Sequence, residues 1–97
     1  MVTYIALSDW TDQGVRNFNE TVERYDAAVQ ALERLGGHFR DTYWTLGQND
    51  IVSIIDAPDD ETATAFLLKL ASGGNIRTST MRAFSREEVP GIIERAG

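Results

Sequence analysis

The chain has 97 residues, 42% hydrophobic and 25% charged, with a net charge of −6 and no cysteine. That length accommodates one domain, and the composition is that of a folded globular chain rather than a disordered one. Lack of cysteine excludes disulfides, thiolate zinc sites and cysteine nucleophiles, and the acidic balance argues against nucleic acid and against a polybasic membrane contact.

In chain order, Val2 to Ser8 is a strand-like run. Neither a basic start nor a signal-type apolar stretch precedes it, so a cytoplasmic protein is expected. No segment approaches the ~18 apolar residues of a membrane span. Thr21 to Leu35 follows the helical period, with Val22, Tyr25, Val29, Leu32 and Leu35 on one face. Thr21 is the expected N-cap, and Gly36-Gly37 stops the helix. His38 to Leu46 reads as a second strand.

The second half repeats this order. Ile51 to Ala57 is a strand, and Pro58-Asp59-Asp60-Glu61 starts a helix with acids facing the dipole. Ala63, Phe66, Leu67 and Leu70 form that helix's apolar face, Gly73-Gly74 ends it, and Asn75 to Phe84 is a fourth strand. Strand, helix, double glycine, strand, twice over, is the split βαβ pattern. It predicts an α+β, ferredoxin-like βαββαβ sandwich, with right-handed crossovers placing both helices on one face of a four-stranded antiparallel sheet. Ser85-Arg86-Glu87-Glu88 then fits a capping box. Val89, Ile92 and Ile93 follow with Pro90 and Gly91 among them, so a short or broken terminal helix is expected.

In this topology the first and third strands are central, and here they are apolar on both faces: Tyr4-Ile5-Ala6-Leu7 and Ile51-Val52-Ser53-Ile54-Ile55. The other two carry His38, Arg40 and Asp41, and Arg77, Ser79 and Arg82, as edges do. Two helices cover only one face, and the terminal segment is too short to cover the other. A homodimer packed sheet against sheet is therefore expected, with a higher oligomer not excluded.

Candidate chemistry is sparse. His38, the sole histidine, offers a general base, but no carboxylate stands at a telling spacing, so it reads as a solvent-facing strand residue. Trp10-Thr11-Asp12-Gln13 follows a central strand and reads either as a ligand contact or as an Asx-type turn with Trp10 closing the core. Arg16 just beyond either binds an anion or pairs with a local acid. Tyr43 and Trp44 point to opposite faces, one towards the open face and one under a helix. Thr78, Thr80 and Arg82 share one side of their strand, as an anion site or a solvated edge. Asp59-Asp60-Glu61 reads as a helix cap rather than a metal site. No triad order, phosphate loop or dinucleotide fingerprint occurs.

Several segments, in order, resemble the GYD domain family: Thr11-Asp12-Gln13-Gly14-Val15-Arg16-Asn17, Leu35-Gly36-Gly37, Tyr43-Trp44-Thr45-Leu46-Gly47, Ala57-Pro58-Asp59-Asp60-Glu61-Thr62-Ala63 and Gly74-Asn75-Ile76-Arg77-Thr78. The resemblance implies a ferredoxin-like, dimeric α/β-barrel fold and no established activity. The family's name triplet falls at Gly47-Gln48-Asn49-Asp50, where Asn49 stands in place of tyrosine and suits a turn.

These features point first to an oligomeric ligand-binding or regulatory module. Its small-molecule site is expected to draw on Trp10, Thr11, Asp12, Gln13, Arg16, Trp44, Thr45, Arg77 and Thr78, with no cofactor and no metal. The alternatives are a structural or interaction protein without a ligand, and a cofactor-independent monooxygenase- or isomerase-like enzyme by fold analogy. The enzyme needs His38 or Asp12 inside the pocket.

Overall fold

Period-2 burial along the first strand separates the two faces of the sheet. Tyr4, Ala6 and Ser8 are buried, whereas Thr3, Ile5 and Leu7 between them are half-buried. The computed structural model describes residues 1–97. Its strands are β1 (Val2–Trp10), β2 (His38–Trp44), β3 (Ile51–Ala57) and β4 (Ile76–Ala83). They form one antiparallel sheet in the order β2-β3-β1-β4, so the apolar strands are central and the charged ones are edges. The helices are α1 (Asp12–Arg16), α2 (Thr21–Arg34), α3 (Asp60–Ser72) and α4 (Val89–Ala96), with a 3-10 turn at Phe18–Glu20.

Helices α2 and α3 cover one face. Leu32 of α2 and Phe66 of α3 meet Tyr4 and Ile55 of the sheet in a single core, and each such side chain contributes about 1.5–3 kcal/mol by leaving water. A run of edge-to-face rings, Tyr25 to Phe39 at 5.4 Å and Phe39 to Phe66 at 5.9 Å, ties both helices to β2. Two details of α2 differ from expectation. Its inward side is Tyr25, Ala28 and Leu32, while Val22 and Leu35 are exposed. Glu20, not Thr21, is the N-cap, because the Thr21 backbone is already helical (φ −60°, ψ −38°), and the Thr21 hydroxyl accepts from Trp44 Nε1 at 3.0 Å. The helix stops at Gly36, whose φ of +88° is the left-handed conformation that ends helices cheaply only at glycine.

A β-bulge decides which aromatic of β2 faces inward. The register runs Phe39 to Ile55 and then Asp41 to Ile54, leaving Arg40 as the extra residue. Phe39, Thr42 and Trp44 therefore share the helix-covered face, and Tyr43 lies on the other at 61% exposure.

The opposite face is uncovered. Ile5, Leu7, Val52 and Ile54 lie there half-buried beside exposed Tyr43 and Met81. The expected capping box forms, with Ser85 N donating to Glu88 Oε1 at 2.9 Å and Glu88 N to Ser85 Oγ at 3.3 Å. It launches α4 intact through Pro90, which sits in the first turn, where its missing N–H costs nothing. Helix α4 covers neither face: Ile92 and Ile93 stay 43% and 64% exposed. The radius of gyration, 14.6 Å, exceeds the ~12.5 Å expected of a chain this long.

Candidate functional site

The two helices do not close completely on the sheet. A cavity of about 100 Å³ remains between them, lined by sixteen residues of which eleven are hydrophobic. Helix α2 contributes Thr21, Arg24, Tyr25 and Ala28, one turn-to-turn face of that helix. Phe39 and Trp44 come from β2, Phe66 and Leu70 from α3, and Ser8 and Ser53 from the central strands. Trp44 is held over Tyr25 at 5.7 Å, edge to face, as well as by its bond to Thr21.

Arg24 is the single charged residue in that lining. Its guanidinium donates to the carbonyls of Asn17 at 2.8 Å and Gly14 at 3.3 Å, and the chain's ion pairs all lie elsewhere. The remaining polar groups are largely satisfied. Ser53 Oγ lies 3.0 Å from Thr42 Oγ1, and Asn75 Oδ1 accepts from Gln13 at 3.0 Å.

A second, open depression sits at the end of β1, lined by Trp10, Thr11, Asp12, Gln13, Gly74 and Arg77. Five of the nine residues nominated from sequence thus come together, but several are committed to holding the chain. Thr11 caps α1 by accepting from Gly14 N at 3.1 Å, and its hydroxyl donates to the Gly74 carbonyl at 2.5 Å. Gln13 donates to the Gly73 carbonyl at 3.1 Å and to Asn75. Gly14 lies so close to this loop that a Cβ there would stand 1.9 Å from the Asn75 carbonyl oxygen. The segment expected as a turn is therefore the last residue of β1 and a capped helical turn, pinned to the α3–β4 loop. Asp12 and Arg77 are exposed, and Trp10 Nε1 is buried without a hydrogen-bond partner.

The other four candidates disperse. Trp44 lines the sheet–helix cavity, away from that depression. Arg16 is exposed in the last turn of α1, where a cation complements the dipole. Thr45 closes the β2–β3 turn, donating through Oγ1 to the Asn49 carbonyl at 2.6 Å. Thr78 pairs with Ser8 in the sheet and is half-buried. The row of Thr78, Thr80 and Arg82 forms no anion site, because Arg82 turns to Glu88 at 3.8 Å and stacks over Phe84 at 4.2 Å.

The acid–base candidates lie outside the cavity. His38 is half-exposed, with Nε2 3.0 Å from Asp56 Oδ2, and Thr3 donates to the other oxygen of that carboxylate at 2.6 Å. Asp59 caps α3 by accepting from Thr62 N at 2.8 Å. Asp60 accepts from the Tyr4 hydroxyl, and burial together with that bond pushes the phenol up to about 12. No group of three potential ligands is arranged to hold a metal ion, and no helix is long and apolar enough to cross a membrane.

The GYD domain profile matches residues 4–93. The chain belongs to the GYD domain family. A protein of Thermus thermophilus, the glutamine synthetase and cystathionine beta-lyase binding protein, is 37% identical over 84 residues, 86% of this chain and 88% of the relative. Among solved structures, MtbAldR superposes with a TM-score of 0.60 at 12% identity, over 88% of this chain but only 52% of its own length. The 5-chloro-2-hydroxyhydroquinone dehydrochlorinase of Burkholderia phenoliruptrix, solved with 2,5-dihydroxybenzoquinone, superposes at 0.61 with 14% identity, over 90% of this chain and 97% of that one. At such identities these two structures establish the ferredoxin-like fold and nothing of the chemistry.

Gly47 to Asp50 lie in the β2–β3 connection, Asn49 Nδ2 donates to Asp9 Oδ1 at 3.2 Å, and Asp50 accepts from Trp10 N at 3.0 Å. Arg24, Tyr25 and Phe39, which build the cavity, were not among the nominated residues. Their signal is present in sequence: Thr21, Arg24, Tyr25 and Ala28 recur at helical spacing, with a cation placed on the inward side.

Proposed function

We propose that the chain, as one GYD domain over residues 1–97, is a cytoplasmic homo-oligomeric binding module with a regulatory role. It pairs through the open face of its sheet and holds a small ligand between sheet and helices. The observation that carries this is the unequal use of the sheet's two faces. One is covered by its own helices and keeps a lined cavity, while the other leaves Ile5, Leu7, Val52, Ile54, Tyr43 and Met81 without cover. A contiguous apolar patch of that kind is an association surface, and a two-fold copy supplies the same patch in return. Helix α4, amphipathic and unpacked on its own chain, adds a second surface for the neighbouring copy. The Thermus relative, named for binding two metabolic enzymes, supports enzymes as the regulated partners.

An interaction protein without a ligand is the second reading, favoured by the same uncovered face. The acid–base enzyme has less support, since neither His38 nor Asp12 lines the cavity. Native mass spectrometry of protein purified without a denaturing step separates these readings. A dimer or multiple carrying extra mass is the expected result. An oligomer of bare mass favours the interaction protein, and a clean monomer sinks the account of the open face.

A further inference from the structure

Arg24 is out of place in an acidic chain. Fifteen carboxylate side chains face nine Lys and Arg, yet the ion pairs are His38 and Arg40 with Asp56, and Arg82 with Glu88. Arg24 instead stands in the wall of an apolar cavity, fixed by two backbone carbonyls. A guanidinium has five N–H donors in a rigid fork, and the two bonds to Asn17 and Gly14 leave donors to spare. The neighbouring lining holds Ser8, Thr21 and Asn75 but no acid. A cation held against apolar surface, short of its counter-charge, is the arrangement that gains most from an incoming anion. Charge-assisted bonds to a carboxylate are about twice as strong as neutral ones.

The rest of the lining fixes the body of such a ligand. Tyr25, Phe39, Phe66 and Trp44 present ring edges and faces to one space. At about 100 Å³ that space is smaller than the ~150 Å³ engineered cavity that admits benzene. A ring therefore enters it only part-way, with the polar head left at the mouth beside Arg24.

We infer that the sheet–helix cavity is a site for a compact aromatic monocarboxylate, its ring among Tyr25, Phe39 and Trp44 and its carboxylate on Arg24. This rests on the ligand-holding half of the proposed function and names the chemistry of that site. It also gives Arg24 two tasks: closing the C-terminal end of α1 through the Gly14 and Asn17 carbonyls, and receiving the anion. Occupancy of the cavity is thereby joined to the order of α1.

Titration of the intact chain with benzoate and with benzamide, its neutral counterpart, tests the assignment by NMR. Benzoate is expected to move the Trp44 indole Nε1–H and Arg24 Nε–H signals and to bind about tenfold or more tighter than benzamide. The variant R24Q should erase that difference, and R24K should keep part of it. Because R24Q also removes the bonds to α1, the deciding comparison is between the two ligands on the unaltered chain. Equal affinities, or shifts that map to the Arg77 depression, overturn the assignment while leaving a ligand-holding module intact. Absence of binding by both at millimolar concentration overturns it as well. The module itself falls only if native mass spectrometry then finds no retained mass.

Discussion

The depression at the end of β1 and the cavity under α2 are built from similar polar residue types, and they use them in opposite ways. At the depression, Thr11 and Gln13 reach across sixty or more positions of sequence to the carbonyls of Gly74 and Gly73. Those bonds join α1 to the α3–β4 loop and satisfy backbone groups that the chain reversal leaves open. In the cavity, Thr21 and Ser53 are also bonded, but to Trp44 and Thr42, so they orient the walls and leave Arg24 with capacity to spare. Residue type in the sequence nominates the depression and, of the cavity lining, only Trp44. What distinguishes a joint from a binding site is what the chain's own hydrogen bonds leave over. At the joint Thr11 and Gln13 are used up, whereas Arg24 keeps donors after its two bonds to backbone carbonyls.

The largest expected effect tests the joint. Gly14→Ala puts a methyl group into the Asn75 carbonyl, and backbone on both sides cannot yield as a side chain would. A loss of about 3 kcal/mol or more in urea unfolding is expected. A loss under 1 kcal/mol would mean that α1 lifts away freely and that the two regions are not mechanically distinct. Trp44→Ala tests the cavity wall. It removes one edge-to-face pair and one hydrogen bond, a cost of about 1–2 kcal/mol, and should abolish benzoate binding. Thr11→Ala is the sharper control. It loses the cap and the Gly74 bond at about 1 kcal/mol, yet benzoate affinity should stay within about twofold, a change under 0.5 kcal/mol. A tenfold drop would merge the two sites into one.

The central strands were legible because apolar runs on both faces mark buried strands, and β3 falls at the expected Ile51 to Ala57. The α3 start was legible because a capping aspartate acts within one turn. The inward aromatic of β2 was not. A single bulge at Arg40 shifts the alternation by one, and one residue exchanges the faces of everything after it. The inward side of α2 was legible at Tyr25 and Leu32 but misjudged at Val22 and Leu35, where hydrophobicity alone was weighed, since a cavity needs small Ala28 and polar Arg24 where a solid core would take Val22. Helix α1 escaped notice because five residues carry no periodicity. Its glycine, which suggests a turn, is there for close approach to Asn75.

The smallest expected effect concerns two carboxylates that hold turns, Asp59 at the start of α3 and Glu88 just ahead of α4. Hydrogen bonds from Thr62 lower the Asp59 carboxyl below its ordinary 3.8, and those from Ser85 lower Glu88 below 4.5. A depressed carboxyl stabilises the fold above its unfolded value and loses that contribution as pH falls through the folded one. Both groups lie at the surface, so the effect is local fraying rather than unfolding. Protection of the Thr62 and Ser85 amides, taken against their intrinsic exchange rates and followed downward from about pH 5, should therefore fall ahead of that of Ile55 in the sheet. Asp59→Asn keeps a side-chain oxygen for the cap and removes the titration. If Thr62 in that variant still frays on acidification, the carboxyl is not the cause.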